Sequence, residues 1–192
     1  MPQRVPHVRR GYTLAEAVIA MALIGIAAGV VVPRLDWARY EADAAARQLR
    51  VTLQGAQRLA VTEQGTVAVG IDVPNARLRV LEDLNGNLQQ DAGERVRWLP
   101  LEGRATFAAP PTPIPGGTPG QALVNVGPNP VDGYPSLVFR RDGSASATAV
   151  IYLSSVRHGQ TEFRAIAVTQ ATGRAEWWRA SANGSAWKRA SL

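Results

Sequence analysis

Residues 9–33 read RRGYTLAEAVIAMALIGIAAGVVVP. Two arginines and a glycine stand directly before a run from Tyr12 to Val32 that carries one charged side chain, Glu16. A helix of that length rises about 30 Å, the thickness of a bilayer's hydrocarbon core. Arg4, Arg9 and Arg10 precede the run with no balancing acid. Cytoplasmic flanks favour Lys and Arg, so this asymmetry predicts a cytoplasmic N-terminus and a chain sent across the membrane. A carboxylate inside hydrocarbon costs roughly 2.5–3.5 kcal/mol, so Glu16 needs a partner, or it snorkels to the interface from near the helix start. Ala20, Ala22, Gly25, Ala27, Ala28 and Gly29 are small enough to let helices approach closely. Pro33 predicts a kink.

Three kinds of leader fit part of this stretch. A secretory signal would use Ala27-Ala28-Gly29 as a small-residue cleavage site, but its apolar run is too long and holds Glu16. Arg9-Arg10 with Tyr12 and Leu14 loosely suggests a twin-arginine signal. The third accounts for more residues. Arg9, Arg10, Gly11, Thr13, Leu14, Glu16 and the apolar stretch ending at Pro33 resemble the leader of type IV prepilins and type II secretion pseudopilins. The resemblance implies cleavage between Gly11 and Tyr12 by a prepilin peptidase and methylation of the new amino terminus on Tyr12. It also implies that Glu16 serves assembly by pairing with the free amine of a neighbouring subunit. Tyr12 departs from the family, which usually has phenylalanine or methionine there.

Beyond the leader, residues 36–62 place Leu49, Leu53, Ala56 and Ala60 at helical spacing. Arg39, Arg47, Arg50 and Arg58 are expected on the solvated side with Glu41 and Asp43, and Gly65 as the stop. The apolar period then changes from helical to two. Thr66–Asp72 and Arg77–Glu82 alternate around a turn at 73–76. Further strands are expected at 95–99, 105–108, 123–126, 136–139, 148–154, 162–168 and 175–178. Residues 110–135 hold eight prolines and five glycines, which predicts a long irregular loop, free to move. The expected fold class is α+β: a long N-terminal helix, its first half transmembrane, packed on an antiparallel β-sandwich head. The parts are a leader (1–11), a transmembrane assembly helix (12–33), its amphipathic continuation (34–64), the head (65–179) and a basic C-terminal tail (180–192).

The head also resembles a family. EDLNGNLQQDAGE (82–94) joining two strands, LVFRRDGSA (137–145) and ATGR (171–174) are similar to the GspH/FimT pseudopilins. The resemblance implies a minor pseudopilin or pilin of a type II secretion or type IV pilus filament. Its partners would be other pilins, the prepilin peptidase and the bacterial inner membrane. The chain would cross that membrane once, with its head in the periplasm or outside the cell. A second branch of the family implies a DNA-binding subunit for DNA uptake.

Composition narrows the chemistry. The 192 residues contain no cysteine, which excludes thiol catalysis, cysteine zinc sites and disulfides. Net charge is +6, and residues 140–192 hold eight Lys/Arg against three Asp/Glu, which suits solubility or attraction to anionic partners. Asp83, Asn85, Asn87, Asp91 and Glu94 fall at the positions of Ca²⁺ ligands in an EF-hand loop. Leu88 replaces the glycine such a loop needs, no helices are expected beside it, and Asn-Gly equally signals a polar hairpin. Arg174, Arg179, Lys188 and Arg189 are candidates for neutralising DNA phosphates. Trp177 and Trp178 should then point to opposite sheet faces, one into the core and one outward as a stacking platform. The alternative is that Arg174 follows a turn glycine and blunts a sheet edge. Nothing supports catalysis: His7 lies in the leader, His158 in a turn without a paired base, and Ser154-Ser155 lack an activating context.

Overall fold

The computed structural model describes residues 12–31, 36–127, 131–181 and 184–190. The chain divides into two units, Met1–Asp36 and Trp37–Leu192. The first holds α1 (Leu14–Val31), in which every described side chain from Tyr12 to Ile26 is exposed. A helix apolar on all sides and covered on none has no face of its own to bury. At about 1.5 Å per residue its described part rises about 27 Å. Among the described residues no helix is long and apolar enough to cross a membrane. Gly11 and Pro33 lie outside the described residues, as does the junction across which one continuous helix was expected.

In the second unit α2 (Trp37–Thr62) carries the expected stripe: Leu49, Leu53, Ala56 and Ala60 are buried, joined by Ala38, Ala42, Ala45 and Ala46. It ends one residue earlier than Gly65 suggested. Gln64 takes the left-handed conformation (φ 53°), and the Gly65 N–H donates back to the Ala60 carbonyl at 3.1 Å. This is the Schellman closure with glutamine in the position glycine usually fills. The Gln64 side chain offsets part of the strain by donating to the Val61 carbonyl at 2.7 Å.

Among the described residues ten strands follow: β1 (Thr66–Asp72), β2 (Arg77–Asp83), β3 (Arg95–Pro100), β4 (Thr106–Phe107), β5 (Leu123–Val124), β6 (Ser136–Phe139), β7 (Ala149–Arg157), β8 (Gln160–Val168), β9 (Ala175–Ala180) and β10 (Trp187–Arg189). One antiparallel sheet runs β3-β2-β1-β6, and the other runs β10-β9-β8-β7-β4 with β5 also on β7. The α2 stripe meets the inward alternate residues of both sheets in one core: Val67, Val69 and Ile71 from the first, Ile151, Leu153, Ile166 and Trp177 from the second. The fold is α+β, as the change of apolar period predicted.

Three expectations need correction. Glu41 and Asp43 do not share the solvated side of α2; their side chains are 14% and 15% exposed and meet arginines of the second sheet. Both flank the buried stripe, where a charge is tolerated once it is paired. The proline-rich segment is not one irregular loop: it contains β5 and is anchored to the second sheet. Ile114 is buried and its N–H donates to the Tyr152 hydroxyl at 3.0 Å, while Trp187 Nε1 donates to the Thr112 carbonyl at 2.8 Å. Residues 180–192, expected as a tail, contain β10.

Candidate functional site

The N-terminal candidate begins at Tyr12, 88% exposed. Thr13 caps α1. The Glu16 N–H donates to Thr13 Oγ1 at 3.2 Å and the Ala17 N–H to the Thr13 carbonyl at 3.1 Å. Thr13-Leu14-Ala15-Glu16 therefore has the T-x-x-E spacing of a capping box, a signal legible in the sequence itself. It explains locally why a glutamate is welcome here: the third helical residue sits in the positive field of the helix N-terminus. The carboxylate makes no ion pair among the described residues and is exposed, open to a cation from outside.

The acidic loop joins β2 to β3 as a polar hairpin. Asp83 accepts from the Gly86 N–H at 2.7 Å and the Leu88 N–H at 2.9 Å. Asp91 accepts from the side-chain amides of Asn85 (2.7 Å) and Asn87 (2.6 Å), and Glu94 from the N–H groups of Leu84 and Asp91, both at 2.9 Å. The carboxylates are thus used inside the loop. Leu88 adopts the left-handed φ of 61° that glycine would hold at the same position. Among the described residues no group of three or more His, Asp or Glu is placed to hold a metal ion.

The basic candidates do not form one free patch. Arg174 is exposed with its Nε 3.8 Å from Glu176 Oε1, and Arg189 pairs with the same carboxylate. Arg179 turns to Asp43, 2.9 Å away, on the face toward α2. Lys188, exposed, lies directly opposite Arg179 across the β9–β10 pair. Trp177 enters the core as expected, but Trp178 is not an open platform. It packs half-buried on the outer face of the second sheet against the cluster of Ile114, Val150 and Tyr152. Gly173 has a packing role: with φ 60°, an added Cβ would lie 2.3 Å from the Gly143 carbonyl. Gln57 of α2 ties both turns together, donating to the Gly143 and Thr172 carbonyls at 3.0 and 2.6 Å.

Sequence reasoning missed the ionic contact between α2 and the second sheet. Glu41 accepts from Ser155 Oγ at 2.9 Å and from Arg157. Burial alone would raise the Glu41 carboxyl, but the bonds from Ser155 and Arg157 outweigh it and hold the group below its ordinary value. Asp43 takes both Arg164 (2.5 Å) and Arg179 (2.9 Å), and Arg164 is fully buried.

Comparison with known proteins places one segment firmly. Residues 7–32 match the family model described as a prokaryotic N-terminal methylation motif. No curated protein matches the chain. Among solved structures, the chain is similar to the minor pseudopilin EpsH of the type II secretion system of Vibrio cholerae. One structure shows 14% identity over 79% of this chain and 97% of that one, with a TM-score of 0.42. A crystal structure of EpsH shows 17% identity over 78% of this chain and 92% of that one, with a TM-score of 0.38.

Proposed function

We propose that this chain is a pilin-like structural subunit, cut between Gly11 and Tyr12, methylated on the Tyr12 amine and built into a filament through α1. The observation that carries this reading is the methylation motif over residues 7–32. It supplies the processing step and falls on a helix with no cover among its own described residues. In a membrane or in a bundle of copies, that all-round apolar surface is matched. The charge logic supports it too. Cleavage turns Tyr12 into an ammonium, four residues from the exposed carboxylate of Glu16. Staggered helices then pair one subunit's amine with a neighbour's Glu16, which removes the cost of a lone carboxylate in an apolar setting. Before assembly the single span sits in the bacterial inner membrane, with the head on the far side from Arg4, Arg9 and Arg10. The machine is of the type II secretion or type IV pilus class. The direct test is mass spectrometry of the mature N-terminus after co-expression with a prepilin peptidase. N-methyl-Tyr12 is expected; any other first residue would overturn the reading.

A further inference from the structure

The face of β8, β9 and β10 turned toward α2 carries a row of cations. Arg164 lies directly opposite Arg179, and Arg179 directly opposite Lys188. The carboxylates reaching this row are Asp43, shared by Arg164 and Arg179, and Glu162, 2.8 Å from Arg164. Among the described residues these are three cations against two carboxylates, and the excess positive charge lies at the outer end of the row on Lys188. A pocket of about 430 Å³ opens there, lined by Arg179, Ser181, Lys188, Arg189 (itself paired with Glu176) and the small side chains of Ala180, Ala186 and Ala190. Among the described residues its alanine walls leave room for a side chain.

The pocket adjoins a sheet edge, since among the described residues β10 ends the second sheet. The Ser181 N–H donates to the Ala186 carbonyl at 2.7 Å and the Ala190 N–H to the Trp177 carbonyl at 2.9 Å. Antiparallel alternation therefore turns the backbone groups of Trp187 and Arg189 outward. The geometry points to a docking site for an extended acidic segment of another protein, which adds a strand to β10 and places one Asp or Glu carboxylate between Arg179 and Lys188. A polypeptide suits the site better than a phosphate. Only a backbone pairs with the outward groups of β10, and one carboxylate matches the single open charge.

The inference stands apart from the filament reading, because neither the mature N-terminus nor a failed peptide titration decides the other. The test titrates the full chain in detergent micelles with an alternating Thr–Glu octapeptide and follows backbone amide NMR shifts. A Thr–Lys octapeptide, inorganic phosphate and a short DNA duplex are the comparison probes. Saturable binding is expected, with shifts concentrated in β9 and β10. Lys188→Glu weakens it by on the order of tenfold with an unchanged melting temperature, and Lys188→Arg retains it. Shifts at β3 instead, tighter binding of phosphate or DNA, indifference to Lys188→Glu, or no binding at all would each overturn the proposal.

Discussion

Arg164 Nε lies 2.5 Å from Asp43 Oδ1 although the two residues are 121 positions apart, and the arginine is fully buried. The contact joins α2 to β8 inside the molecule. Asp43→Ala leaves a buried guanidinium without its main counter-charge and should cost about 3–5 kcal/mol. Replacing both partners by apolar residues (Asp43→Leu with Arg164→Met) should recover much of that loss. Urea unfolding followed by tryptophan fluorescence distinguishes the two, since Trp177 is buried beside Arg179.

Acid should loosen the fold through two carboxyls. Glu41 and Asp72 are held below their ordinary values of 4.5 and 3.8. At Asp72 burial pushes upward, and hydrogen bonds from Arg77 and Asn75 more than offset it. A carboxyl lowered in the folded state contributes stability above its unfolded value and loses it as pH falls through the folded one. The melting temperature should therefore be flat down to about pH 5 and fall below it. Glu41→Gln should lower the plateau and flatten the acid limb.

Gly173 and Arg174 should separate cleanly. Gly173→Ala combines a left-handed φ with a Cβ pressed onto the Gly143 carbonyl, a loss of about 2–4 kcal/mol. Arg174→Ala, at an exposed site, should stay within about 0.5 kcal/mol. Thermal melts of both variants check this. Equal losses would mean that the turn does not depend on its glycine.

Glu16 has two separable contributions. Glu16→Gln keeps a capping-box residue but removes the charge, whereas Glu16→Ala removes both. Processing should survive in each. Incorporation into filaments should fail in both if the amine of Tyr12 needs a carboxylate. Normal incorporation of Glu16→Gln would assign the residue to capping alone. Fractionating sheared filaments from cells reads this out.

Much of the head was legible because its strands are short apolar runs set between turn signals. TVAVGID and SLVF match β1 and β6 to the residue, with Val67, Val69 and Leu137 facing one core and Ala68 and Val138 packed on the opposite face. The Trp-Lys-Arg strand was not legible: three residues show no period, and its existence depends on pairing with β9. Glu41 and Asp43 were set on the wrong side because charge was read as solvent exposure. Their helical positions say otherwise. Glu41 lies three residues after Ala38 and four before Ala45, both buried. Their partners come from distant strands, which no local pattern announces. The basic C-terminal residues were found, but not the acids that already hold them.

Those acids bear on nucleic acid binding. Arg174 and Arg189 share Glu176, and Arg179 is engaged by Asp43. Few phosphate contacts remain available, so duplex DNA affinity should be weak with a shallow salt slope, changing little in Arg174→Ala. Fluorescence anisotropy across a salt series measures it. A slope of about −4 or steeper would return all four cations to a DNA-binding role.

The contact of Asp43 with Arg164 also fixes where the head can ride on its helix. The apolar stripe of α2 resists a slip of about 5.4 Å, because Leu49 or Leu53 would then fall where an alanine packs. The ion pair resists it too, because the same slip strands a buried arginine. A keyed charge makes that sliding a discrete, costly step, so axial load passes into the sheet without loss of register.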